Sequence, residues 1–341
     1  MLNSSGTTER FAPTLISFAA FRGGGQCPSG GRAGTERQGV YYRQLPPNEP
    51  WSEQSPAVRT EVKLNFRFFC LMVALAFAAA GTARAQDANP EDSVVWKKVH
   101  ASVFGNAPLE AADTVVRLDT PKRAEDAAIV PLAIRAQFPQ TRERYIEKIW
   151  LIIDNNPSPI AAVFQFTPES GRADIETRIR IEEYTHVRAI ALTNDGKLYM
   201  AANYVKASGG CSAPAGKDAV AAKASLGKMR LRVNDAVESG RPAVVQLMIS
   251  HPNASGLAMD QVTRTYATPH FVRRVEVRYG GKLIMSADVD FSISENPNFR
   301  FYFVPEGEGE LDAKVVDNQD LEFTAHVKLD SARLGLASTP R

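Results

Sequence analysis

Residues 272–279 (VRRVEVRY) run into Gly280-Gly281 and then into residues 282–288 (KLIMSAD). Two alternating runs separated by two glycines read as a β-hairpin, because the two-residue turn that matches strand twist needs positive φ at its central positions. Further short runs rich in β-branched and aromatic residues flank this hairpin at 243–249, 299–304, 310–316 and 322–329. A second series lies upstream, at 115–118, 129–137, 146–154, 161–166, 173–181, 187–192 and 197–205. Turn residues separate several of these runs: Asn155-Asn156-Pro157, Pro168 to Gly171, and Asn194-Asp195-Gly196. Arg178-Ile179-Arg180-Ile181 alternates with period two, as a strand with one wet face does.

Seven strands within roughly 95 residues have the size of an immunoglobulin-like sandwich, and the later strands make a second of roughly 110. The predicted fold class is therefore all-β: two tandem immunoglobulin-like β-sandwiches joined by a flexible linker. A short N-terminal helix over 89–104 precedes them. Asn89 can cap it, Pro90 suits the first helical position, and Glu91 and Asp92 favour the positive end of the dipole. Val95, Val99 and Val103 fall on one face of it. The linker is 207–228 (ASGGCSAPAGKDAVAAKASLGK), which has almost no large apolar side chain.

The 341 residues include 40 Lys+Arg against 38 Asp+Glu, a net charge of +2. That balance excludes an electrostatic nucleic-acid binder, whose signature is a concentrated basic face. Three cysteines exclude a disulfide scaffold, and no uncharged apolar run reaches the roughly 20 residues of a membrane span. Residues 68–80 (FFCLMVALAFAAA) follow Lys63 and Arg67 and lead into Ala83-Arg84-Ala85. A basic region, a short apolar core and A-x-A describe a secretory signal peptide over 62–85, cut after Ala85. Residues 1–61, rich in Gly, Arg, Ser and Pro, read as a disordered upstream extension from a start assigned too early, with Val62 as the initiator. The expected mature protein begins at Gln86 and is exported to the periplasm.

Removing 1–85 takes away nine basic and five acidic residues, leaving 31 against 33 and a net charge of −2. Cys27 and Cys70 go too, so the mature chain holds one cysteine, Cys211. An unpaired cysteine in an exported protein has an intermolecular partner or is a free reactive thiol. Gly209 and Gly210 before it confer backbone freedom, and Ser212 and Ala213 after it leave the sulfur accessible. From Cys211 to the next domain a flexible segment would reach roughly 20–25 Å.

A free thiol near pKa 8.5 is only about 3% thiolate at pH 7, with Lys206 and Lys217 the flanking charges. The competing roles for Cys211 are a small buried hydrophobe, an adventitious dimer disulfide, and the nucleophile of a hydrolase, which would need a nearby histidine. His100, His186, His251, His270 and His326 show no metal-ligand spacing, so neither a metal nor a cofactor is expected. The residue-level reading is a covalent handle.

Both halves resemble the sulfur-carrier proteins SoxY and SoxZ of bacterial thiosulfate oxidation, fused in one chain. The SoxY-like residues are 116–121 (VRLDTP), 124–131 (AEDAAIVP), 154–161 (DNNPSPIA), 177–181 (TRIRI) and the run into Gly209-Gly210-Cys211. The SoxZ-like residues are 248–256 (MISHPNASG), 269–272 (PHFV), 275–282 (VEVRYGGK) and 294–303 (SENPNFRFYF). The resemblance implies a carrier domain over 86–206, a linker with the carrier cysteine over 207–228, and a SoxZ-like domain over 229–341. It also implies that the two domains pair within the chain.

By that likeness Cys211 bears sulfur intermediates covalently, with Gly209, Gly210 and Ser212 giving the carrier arm its mobility. Separate enzymes, c-type cytochromes and a sulfate-releasing hydrolase among them, then act on the cargo, and the carrier is not itself an enzyme. In this family the cysteine arm normally ends in Gly-Gly-Cys-Gly-Gly, whereas here Ser212-Ala213-Pro214 and a further domain follow. Such fusions resemble carriers associated with quinoprotein (PQQ-dependent) alcohol dehydrogenases. The alternative reading is accordingly a non-covalent accessory module of a periplasmic quinoprotein dehydrogenase.

Overall fold

A 3₁₀ turn (Pro90–Asp92) and helix α1 (Val94–Val103) precede fifteen strands among the described residues. The first eight are β1 (Leu109–Ala111), β2 (Val116–Asp119), β3 (Val130–Ala136), β4 (Ile146–Ile153), β5 (Ile160–Phe166), β6 (Ile175–Ile179), β7 (Thr185–Thr193) and β8 (Leu198–Val205). The others are β9 (Met229–Val233), β10 (Ala243–Ile249), β11 (Val272–Tyr279), β12 (Lys282–Val289), β13 (Asn298–Phe303), β14 (Gly309–Asp317) and β15 (Glu322–Leu329). The structure is a computed structural model and describes residues 89–213, 224–233, 237–259 and 264–334. The expected extension (1–61), signal peptide (62–85) and residues 214–223 of the linker lie outside the described residues.

The hairpin forms as its glycines require. Gly280 and Gly281 take φ of 53° and 79°, and Tyr279 pairs with Lys282 across them. Two strands go beyond the sequence expectation. β1 adds to β8 in parallel, and β9 pairs antiparallel with β10. The alternation Met229-Arg230-Leu231-Arg232-Val233 was a usable signal for β9.

The halves do not stand as separate sandwiches on a string. One sheet runs β1-β8-β7-β4-β5-β12-β11-β14-β15 and the other β2-β3-β6-β13-β10-β9, so both layers cross from the first half into the second. The main join is antiparallel, β5 on β12, from Ala162 opposite Val289 to Phe166 opposite Met285. The second layer is joined by β6 and β13 at Glu176 opposite Arg300 and by the bridge of Ile179 with Ile293. Inward-facing side chains of both halves fill one core between the layers. Phe164 and Phe299 meet edge-to-face across the join, 6.3 Å between ring centres.

The predicted helix over 89–104 is shorter and broken. Asn89 Oδ1 does accept from Glu91 N, but that caps only the 3₁₀ turn. Ser93 then adopts extended backbone, and its hydroxyl accepts from Trp96 N to start α1 afresh. The helix covers the outer face of the larger sheet, with Trp96 buried over Ile152, Ile190 and Leu198. Beneath it Arg188, 0% exposed, makes a two-pronged pair with Asp154 at 2.8 and 2.7 Å. Its guanidinium lies 4.3 Å from the Trp96 ring centre and donates to Pro90 O.

The loop leaving β10 is braced by a buried cluster. His270 Nε2 donates to Asp317 Oδ2 at 2.7 Å, while Asp317 Oδ1 accepts from Gln319 N and Leu321 N. His251 Nδ1 accepts from Asn253 N at 3.0 Å, and its Nε2 lies 3.5 Å from Asp317 Oδ2 without a full hydrogen bond. Burial, and then His270 alongside, push the His251 pKa from 6.5 down to about 4. The unfolded chain takes up this proton near pH 6.5 and the folded one only near pH 4. Stability is therefore full above pH 6.5 and falls as the pH drops to 4, by on the order of 3 kcal/mol. Urea unfolding at pH 7 and pH 4.5 should show this loss, and His251→Gln, less stable at pH 7, should lose less over the same interval. Equal pH dependence in the two proteins would refute the assignment.

Candidate functional site

Beyond β8 the chain does not become a free arm. Residues 207–213 lie along the exit of β6. Gly209 N donates to Glu182 O and Gly210 N to Ile181 O, at 2.8 and 2.9 Å. The Glu182 carboxylate closes the turn: Oε2 accepts from Cys211 N at 2.8 Å and Ser212 N at 3.1 Å, and Oε1 from Ser212 Oγ at 2.8 Å. From the second half, Ser255 Oγ donates to Cys211 O. Cys211 is thus 1% exposed at the seam between the halves.

This corrects the expectation of an accessible sulfur on a mobile arm. Gly209 does use glycine's freedom, with φ of 82°. Gly210 serves close packing instead: a Cβ there would lie 2.1 Å from Ala127 O and 2.8 Å from Ile181 O. Ser212 is a clasp residue through its hydroxyl. Small side chains here let the segment lie flush against neighbouring backbone, and that contact buries the cysteine.

Among the described residues, the charges acting on the thiol do not include Lys206, the lysine that precedes it in sequence. Lys217 lies outside the described residues, and the groups acting on Cys211 are Glu182, Arg180 and Asp290, with no histidine among them. Burial first, then Glu182, and last Asp290 push the thiol up to about 12, against an opposing pull from Arg180. Cys211 is therefore a neutral thiol at physiological pH. A hydrolase nucleophile activated by histidine has no support in this geometry.

Arg180 was expected on a wet strand face but is 5% exposed. It lies just beyond β6, and its Nη1 donates to the carbonyls of Asn253, Phe291 and Ile293 at 2.5, 2.9 and 3.1 Å. Those acceptors come from the second half, and none is within 70 residues in sequence. Asn156, from the DNNPSPIA run, fixes the same stretch: its Nδ2 donates to Arg180 O, and its Oδ1 accepts from Glu182 N. Asn253, buried with φ of 46°, does the equivalent for the second half, bonding Ile293 O and Val272 N through its side chain. Asn156, Arg180, Glu182, Asn253, Ser255 and Asp290 are the site residues that the sequence reading did not single out. The first five lie within or beside the motif runs quoted above, which was the available signal.

The fold also gathers His251, His270 and Asp317, with candidate ligand atoms within 4.8 Å of one another. The donor set does not suit a cation. Asn253 N–H occupies Nδ1 of His251, which places the ring proton on Nε2 and removes the lone pair a metal would need.

Comparison with known families matches residues 100–211 to the sulfur oxidation protein SoxY and residues 229–328 to the sulphur oxidation protein SoxZ. The SoxY match ends on Cys211 itself. No curated protein matches the chain. Among solved structures, the sulfur carrier protein SoxY of Chlorobium limicola f thiosulfatophilum is 24% identical, with 33% of this chain and 91% of that one covered and a TM-score of 0.29. A superoxide reductase (neelaredoxin) variant from Ignicoccus hospitalis is 15% identical over 34% and 90%, with a TM-score of 0.26. Fibronectin(III)-like modules of Clostridium thermocellum CbhA are 12% identical over 64% and 96%, with a TM-score of 0.20. The two family matches stand in tandem and together take in well over half of the residues, so this chain belongs with the sulfur-oxidation proteins as a fusion of a SoxY domain and a SoxZ domain.

Proposed function

We propose that the protein is a periplasmic carrier, not itself an enzyme, that holds a sulfur adduct covalently on Cys211 and presents it to partner redox enzymes. The observation that carries this reading is the position of Cys211. It is the last residue of the SoxY match and sits where the two halves meet, on a seven-residue segment held largely by backbone and polar contacts. Such contacts can break without disturbing the apolar core between the sheets.

Loading uses the chemistry a thiolate has. It attacks an activated sulfur, a new S–S bond forms on Cys211, and the leaving group departs with the electron pair of the bond that breaks. The partners are c-type cytochromes and other sulfur-oxidation enzymes, and export follows from the signal peptide over 62–85.

With a pKa of about 12 the clasped thiol is thiolate roughly once in 10⁵ molecules at pH 7. Reaction therefore belongs to a state in which 209–213 has left the clasp. The burial of Cys211 also favours a second reading, the non-covalent accessory module of a quinoprotein dehydrogenase, in which the cysteine is only a packed side chain.

Intact mass spectrometry of protein from the periplasm of its native host, with and without reductant, separates the two. The carrier reading expects a reducible increment on Cys211; an unmodified thiol during growth on reduced sulfur compounds supports the accessory module. Cys211→Ser should abolish sulfur-dependent oxidation while leaving the thermal midpoint within a few degrees, and undiminished oxidation would overturn the carrier. Gly210→Ala, whose new methyl group meets Ala127 O, should displace the segment and speed alkylation of Cys211 by iodoacetamide at least tenfold. An unchanged rate would show that the clasp does not limit access.

A further inference from the structure

We propose that the clasp around Cys211 sorts by charge: it retains residues 209–212 while the sulfur is uncharged and releases them when the sulfur bears an anion. The proposal rests on the carrier reading for what the anion is, and deepens it by making release a consequence of loading.

Glu182 has a double role. Its carboxylate holds the segment by accepting from Cys211 N, Ser212 N and Ser212 Oγ, and those same bonds place a negative charge beside residue 211. Asp290 supplies a second carboxylate, half-buried and fixed by Phe291 N and Ser158 Oγ at 2.6 and 3.2 Å. Arg180 is the opposing cation, and its guanidinium is tied to backbone carbonyls of the second half. From the loop that contacts Gly210, Asp126 is exposed and turned onto Ala128 N. From the 251–256 loop the approach is made by Ser255, which is uncharged.

Around a 1%-exposed sulfur, two carboxylates thus stand against one cation. A neutral thiol is compatible with that surrounding. A thiolate, a persulfide anion or an S-sulfonate is not, because it adds a desolvated negative charge beside a carboxylate that cannot withdraw without giving up the clasp. Gly210 leaves no slack, since its backbone already lies against Ala127 and Ile181. The segment is the part that can yield: among the described residues, the hydrogen bond to Cys211 from the second half is that of Ser255 Oγ. An anionic adduct then keeps the segment out for delivery, and the neutral thiol left after unloading lets it return.

The test needs no cargo. In the full-length protein, hydrogen exchange across 207–213 is compared for wild type, Cys211→Asn and Cys211→Asp, with the core strands reporting that each variant is folded. The Asp variant should lose at least tenfold protection in this segment relative to the Asn variant, which matches it in shape. Adding Glu182→Gln to the Asp variant should recover part of that protection. Equal protection in Asn and Asp variants overturns the proposal.

Should the Asp variant fail to fold, wild type modified at Cys211 as the S-sulfonate or as the neutral S-methylthio adduct supplies the same comparison. Opening by the sulfonate alone supports a charge gate, whereas equal opening by both assigns release to size and overturns it. A charge effect in these variants together with an unmodified Cys211 in native protein would sink the carrier reading and leave the gate standing.

Discussion

β5 pairs with β12 from Ala162 opposite Val289 to Phe166 opposite Met285, and those contacts turn what would be two exposed sheet edges into the interior of a nine-stranded sheet. An unpaired edge is a row of unsatisfied N–H and C=O groups, so joining the halves this way satisfies backbone and closes the core in one step. The loops at the seam are consequently fixed relative to one another. Residues 180–182 of the first half, 252–255 and 290–293 of the second, and the segment carrying Cys211 can then meet with defined geometry.

Two buried arginines show different solutions to the cost of desolvating a cation. Arg188 is matched by the carboxylate of Asp154 and roofed by Trp96, which completes a local ion pair inside the SoxY domain. Arg180 is surrounded instead by carbonyl oxygens of the SoxZ domain. Carbonyls accept from its Nη1 without neutralising it, and its field acts on both Glu295 and the thiol. The sulfur's protonation at the seam is accordingly set first by burial and then by the charges of Glu182, Arg180 and Asp290.

Much of the β architecture is legible locally. Leu132 and Ile134 point inward while Pro131, Ala133 and Arg135 do not, and β10, β11 and β15 have the limits that their alternation predicts. Where local reading failed, a distant or competing partner decided. Ser93 outcompeted Asn89 as the cap of α1 because its hydroxyl meets Trp96 N. Arg180 alternates like a solvent-facing strand residue, yet carbonyls about 70 and 110 residues away enclose it. The glycines and serine around Cys211 read as freedom, and backbone from 127 and 181 makes of them a fitted contact.

By itself the sequence determined the strand pattern, the tight Gly280-Gly281 turn and the presence of one cysteine after residue 85, because periodicity, turn stereochemistry and residue counts are properties of neighbours along the chain. Only the tertiary structure decided that the two sandwiches share their sheets and that Cys211 is a buried, neutral thiol under Glu182. The reason is physical: burial and electrostatics depend on which distant groups displace water from a side chain, and no local pattern encodes them.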